Sequence, residues 1–131
     1  MTAHAHGTFD VKGTPDPSVG KDAVPGRLLI DKQFHGDLVG TSKGLMLTAG
    51  DVAKGSAGYV AIELVTGTLG GRSGSFALQH SGTMTNGVQE LSVKVVPGSA
   101  VGQLAGLGGT MTIKIDSGKH FYDFEYTLPG Q

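Results

Sequence analysis

The sequence predicts an all-β fold, a closed antiparallel barrel of eight short strands, and three observations carry that expectation. Apolar and polar residues alternate with period two through most of the chain, as in Phe9 and Val11 against Asp10 and Lys12. Glycine accounts for 23 of 131 residues without a three-residue period, so it punctuates the chain with turns and bulges instead of building a repeat. Asn86-Gly87, set between Thr-rich and Val-rich runs, tolerates the positive φ of a type I′ hairpin turn at both positions.

Thr8 to Lys12 alternates as strand one, and residues 13 to 26, with Pro15, Pro17 and Pro25, read as the longest loop. Arg27 to Phe34 and Asp37 to Thr48 form a hairpin about His35-Gly36, with Leu38, Gly40, Ser42, Gly44 and Met46 sharing one face and leaving space beside it. A turn through Gly50-Asp51 and Lys54-Gly55 leads to strand four, Gly58 to Leu69. It carries Tyr59, Ala61, Glu63 and Val65 on one face and Val60, Ile62 and Leu64 on the other, both partly buried by composition. Gly70-Gly71 turns the chain into Ser73 to Met84, where Phe76, Leu78 and His80 are in phase. Leu91, Val93 and Val95 mark strand six, which Pro97-Gly98 stops. Val101 to Leu107 offers the one helical turn, with Val101, Leu104 and Ala105 at i, i+3 and i+4, a short plug or lid at most. Met111, Ile113 and Ile115 define strand seven, Asp116-Ser117-Gly118 the turn, and His120 to Leu128 strand eight, with His120, Tyr122, Phe124 and Tyr126 in phase before Pro129. Short turns favour the barrel over a two-sheet sandwich, and eight strands enclose either packed side chains or one small ligand.

One domain spanning residues 1–131 is expected from the length. With 38% hydrophobic and 16% charged residues, the chain is neither disordered nor a membrane span, so no membrane partner is expected. A net charge of -1 with dispersed Lys and Arg lacks the basic stripe of a nucleic-acid footprint, which excludes that partner. Without cysteine there is no disulfide, thiolate metal site or cysteine nucleophile. Met1-Thr2-Ala3-His4 has no basic and apolar leader pattern, so a cytoplasmic location is expected.

Three stretches carry a family resemblance: Gly36-Asp37-Leu38-Val39-Gly40-Thr41-Ser42-Lys43-Gly44, the run Gly67 to Met84, and the closing Lys119 to Pro129. With Gly55 to Ala61, Val95 to Ser99 and Gly102 to Gly109 they make the chain resemble the bacterial DUF3224 family over nearly its whole length, least at residues 13 to 30. The resemblance implies an eight-stranded barrel with a central cavity, similar to that of allene oxide cyclase. It implies no activity, because no segment reproduces a cyclase active-site motif.

Candidate chemistry centres on Glu63, a carboxylate in the middle of an apolar strand: burial on an inward face would raise its pKa and suit it to general acid or base work, whereas an outward face would leave it solvated or salt-bridged. His80, in phase with Phe76 and Leu78 on the neighbouring strand, is its candidate catalytic partner; the plain alternative is a structural, hydrogen-bonded histidine. Tyr59, Phe76, Tyr122, Phe124 and Tyr126 are the candidate ligand-binding aromatics, with ordinary barrel core as the competing use. Arg72 reads as a turn residue at the mouth.

His4 and His6 share a face at i, i+2, with His35, His80 and His120 elsewhere. Lacking a paired His–carboxylate motif, the sequence leads to no expected metal and no cofactor. The glycines around Gly70 join two strands, so they are not a dinucleotide cradle.

Three readings stand: a barrel binding a small, largely apolar molecule; a small cofactor-free isomerase or cyclase-type enzyme using Glu63 and His80; and a filled barrel acting as a structural homo-oligomer through Val60, Ile62 and Leu64.

Overall fold

Alternation becomes register in the computed structural model, which describes residues 2–20 and 22–130. Strands β1 (Ala3–Pro15), β2 (Gly26–Gly36), β3 (Leu38–Asp51), β4 (Ser56–Leu69), β5 (Arg72–Thr85) and β6 (Val88–Val95) pair antiparallel, each with the next. After the two-residue β7 (Val101–Gly102), β8 (Gly108–Asp116) pairs with β6 at Lys94 and Thr110 and with β9 (Lys119–Thr127) along its length. β9 returns to β1, from Ala3 opposite Tyr126 to Phe9 opposite His120, and closes an eight-stranded up-and-down barrel. β7 only adds to β5 at its end. The hairpin turns at Gly70-Gly71, Asn86-Gly87 and Ser117-Gly118 all place both central residues at positive φ, between 49° and 81°, as type I′ requires.

Four details depart from the sequence reading. β1 extends well beyond Thr8 to Lys12, and the loop shrinks to residues 16–25. Past Phe9 this strand pairs with β2 but not with β9, so Pro15 sits where a missing N–H leaves no ladder bond unmade on the second side. Asp16 orders the loop by accepting from the Ser18 N–H at 2.9 Å and hydroxyl at 2.7 Å and from Arg27 Nε at 3.1 Å, which hold its carboxyl below the ordinary range.

Val101 to Leu107 is not helical. Gly102 and Gly106 take positive φ, and Val101-Gly102 adds to β5 instead. The segment nevertheless works as a plug, since Leu104 and Leu107 are buried in the core. The helical turn is instead a 3₁₀ turn at Val52–Lys54, capped by Asp51, which accepts from the Ala53 N–H.

The second face of β4 is the outer wall of the barrel. Val60, Ile62 and Leu64 are 51%, 51% and 55% exposed, so that face is open rather than partly buried. Arg72 reaches across to donate to the Pro129 carbonyl at 3.2 Å and tethers the last residues to the β4–β5 turn.

Inward side chains divide the interior in two. One half is packed solid by Phe34, Leu38, Val65, Leu69, Phe76, Leu78, Val93, Phe124 and Tyr126, sealed by Leu104 and Leu107. The other half, towards the 16–25 loop and the 3₁₀ turn, is open. Gly40 and Gly67 face each other in this packed half, where a Cβ on Gly67 would strike the Val39 carbonyl and the Gly40 backbone. Gly67→Ala should therefore destabilise the barrel by about 1–3 kcal/mol, seen as a lower urea midpoint. Gly20→Ala, with nothing within 4 Å, should leave the midpoint unchanged.

Candidate functional site

The boundary between the two halves is a layer of charge. Lys32 on β2, Glu63 on β4 and His80 on β5 all point inward and are 8%, 2% and 4% exposed. Lys32 Nζ and the His80 Nε2–H both donate to the same oxygen, Glu63 Oε2, each at 2.7 Å. The other carboxylate oxygen, Glu63 Oε1, is buried and has no hydrogen-bond partner among the described residues, as is the case for Ser42 Oγ.

β3 lies between β2 and β4, and its small inward residues allow the contact across it. Ser42 stands opposite Lys32, Gly44 stands opposite Glu63, and a Cβ at Gly44 would come within 2.7 Å of the Glu63 Cβ. The Lys32 ammonium also lies 4.7 Å from the Phe9 ring centroid and 5.9 Å from that of Phe34, so its remaining surroundings are aromatic faces rather than water.

Burial acts most strongly on Glu63 and by itself would raise its pKa. The hydrogen bond from His80 and the charge of Lys32 outweigh it, and the carboxyl is held below its ordinary range. This corrects the expectation of a raised value: Glu63 is an anion at neutral pH. Burial first, then the Glu63 charge, push the Tyr59 phenol up, so it stays protonated.

Above this layer opens a cavity of about 610 Å³ lined by Phe9, Val11, Leu28, Ile30, Met46, Tyr59, Ala61, Leu91, Ile113 and His120, with Lys32, Glu63 and His80 at its floor. Of the residues singled out in the sequence, Glu63, His80 and Tyr59 meet here. Phe76, Tyr122, Phe124 and Tyr126 do not line this cavity, because they stand one to three inward positions deeper than His80 and His120, where the barrel is packed. Phe76 stacks on Phe124 and Phe124 on Tyr126, at centroid distances of 5.9 and 5.3 Å. The Tyr122 hydroxyl is spent on the backbone: it accepts from the Leu38 N–H at 2.9 Å and donates to the His35 carbonyl at 2.8 Å, pinning the β2–β3 turn.

Lys32 is the site residue that sequence reasoning missed. Its signal was phase: Leu28, Ile30, Lys32 and Phe34 alternate on one face, so a lysine stands among inward apolar residues.

Fold and site together define a closed eight-stranded barrel, packed at one end and hollow at the other, with a buried Lys–Glu–His layer between. A family model described as "Protein of unknown function (DUF3224)" matches residues 5–126, and the chain belongs to that family. It is similar to a crystal structure of a protein with unknown function from the DUF3224 family of Shewanella oneidensis MR-1, with 49% identity, 98% of each chain covered and a TM-score of 0.87. No curated protein matches the chain.

A carboxylate with a depressed pKa stabilises the fold fully above the unfolded glutamate range and loses that contribution as pH falls through the folded value. Glu63→Gln should therefore cost about 3 kcal/mol at pH 7, because it leaves the buried Lys32 charge without its partner. The gap to the wild type should begin to narrow as pH falls below the unfolded glutamate value of about 4.3 and close as the folded carboxyl, whose pKa lies lower still, takes up its proton. Urea unfolding across this pH range measures this, and a gap independent of pH would contradict an ionised Glu63.

Proposed function

We propose that the open half of the barrel binds a small, largely apolar molecule that presents one hydrogen-bond donor to Glu63. The observation that carries this reading is Glu63, a carboxylate among the residues lining a largely apolar cavity, whose Oε1 is buried and accepts no hydrogen bond among the described residues. Leaving a buried charged acceptor unpaired is costly, and a donor on the ligand relieves that cost where the apolar walls already favour its body. The cavity volume, about 610 Å³, lies within the range of small-molecule sites. Tyr59 adds a protonated hydroxyl on the same wall as Glu63.

A matched pair of probes tests this reading. 4-Hexylphenol carries an apolar tail and one donor, and its methyl ether lacks only the donor. Titration calorimetry should show the phenol binding about tenfold or more tightly than the ether. Glu63→Gln should erase that preference, and Ala61→Phe, which fills the cavity, should abolish binding of both. Equal affinity of the two probes for the wild type would remove Glu63 from the reading.

The 2.7 Å contact between His80 Nε2 and Glu63 Oε2 supports a second reading, a cofactor-free isomerase or cyclase-type enzyme in which this pair moves a proton of the bound molecule. A ligand that is also a substrate separates the two. His80→Ala should weaken simple binding only modestly but lower turnover by orders of magnitude.

The outer wall supports self-association as a separate property. Leu29, Leu45 and Ile62 lie side by side across β2, β3 and β4, and Leu47 lies beside Val60, forming one aliphatic face with Leu64. β4 is hydrogen-bonded along both edges, so a second copy would meet this face by side-chain packing rather than by adding a strand. Sedimentation velocity should show an oligomer for the wild type and a smaller species for Ile62→Lys.

A further inference from the structure

The ends of the chain meet on the outside of the barrel, where β1 pairs with β9, and they bring together a second cluster unrelated to the cavity. His4 and His6 stand two residues apart on β1 and so share the outer face. The antiparallel register sets His4 opposite Glu125 and His6 opposite Asp123, so two imidazoles face two carboxylates. His4 Nδ1 lies 3.2 Å and His6 Nδ1 3.6 Å from the same oxygen, Asp123 Oδ1, and the two rings stack at 6.0 Å with planes 9° apart. One ligand atom from each of the three residues falls within 4.8 Å of the others.

We infer that His4, His6 and Asp123 form a binding site for a first-row divalent transition cation of the Zn²⁺ type. With metal–ligand bonds of about 2.0–2.1 Å, the ligand atoms of a tetrahedral site lie about 3.3–3.4 Å apart, and the 3.2 and 3.6 Å contacts to Asp123 bracket that edge. Each imidazole offers the Nδ1 lone pair when its ring proton resides on Nε2. For His4 that proton has an acceptor in prospect: Glu125 Oε2 lies 3.9 Å from Nε2, the position of a carboxylate that orients a metal-bound histidine. Two nitrogens and one oxygen suit Zn²⁺, Ni²⁺ or Cu²⁺ and disfavour Mg²⁺, which prefers all-oxygen octahedra. A shallow concavity of about 480 Å³ lined by His6, Thr112, Lys114, Phe121 and Asp123 adjoins the cluster and leaves the fourth position to water or a small anion. The ladder holds the cluster in place, because β1 is bonded to β9 from Ala3 to Phe9.

Calorimetric titration of the full, tag-free chain with zinc chloride tests the site. One Zn²⁺ per chain should bind with micromolar affinity, and magnesium chloride should give no binding. His6→Ala and Asp123→Asn should each weaken Zn²⁺ by about tenfold or more while keeping the wild-type circular dichroism. His35→Ala, which breaks an exposed pair with Asp10 at 2.9 Å, should leave Zn²⁺ affinity unchanged. Wild-type affinity in His6→Ala, or Zn²⁺ binding only at millimolar concentration, would overturn the assignment.

Discussion

Closure of the backbone ladder is the constraint on which everything else in this protein depends. Eight strands of 8 to 14 residues expose two edges unless the first and last meet, and here β1 and β9 do so over seven paired positions. Each barrel strand pairs with the next along the chain, so the order of strands around the barrel follows the order in the chain. The weakest link is the stretch between β6 and β8. There the ladder narrows to one pair, Lys94 with Thr110, and the chain detours to insert Leu104 and Leu107 into one end.

That detour explains why the interior is asymmetric. An eight-stranded barrel has just enough room to be filled by its own side chains. At the plugged end, Phe34, Phe76 and Phe124 with their leucine neighbours use that room completely. At the other end the inward positions include Gly44, Ala61 and Gly82, and a cavity remains. The Lys32, Glu63 and His80 layer sits where bulky residues give way to small ones. Two donors converge on one carboxylate oxygen, which offsets the burial of the charges. The second oxygen is buried and accepts no hydrogen bond among the described residues. The layer that bounds the packed end thus also lines the open end.

Comparison of sequence with structure shows where local pattern suffices. Period-two alternation located Phe9, Leu78, Val93, Val95 and Met111 on the inner wall, and positive-φ turn chemistry located the hairpins. Strand alternation also placed His80 on the inward face and left the direction of Glu63 open. Pattern failed where a residue's state depends on distant neighbours. Pro15 can end a long strand because β9 does not reach it. Val101 to Leu107 has helical spacing, yet Gly102 and Gly106 bend it into a plug against the barrel end. The aromatic series Tyr122, Phe124 and Tyr126 was legible as inward-facing, but depth along the barrel axis, which decides between core and cavity, has no local signature.

The sequence by itself determined the class of fold, the inward faces and the candidate pair, because these follow from side-chain alternation and turn geometry within a few residues. Only the tertiary structure decided the charge state of Glu63, since Lys32 reaches it from 31 residues away across the glycine and serine gap in β3. It alone decided which half of the barrel is hollow. It alone brought Asp123 to His4 and His6, because ring closure, rather than any local preference, makes neighbours of the two ends of a chain.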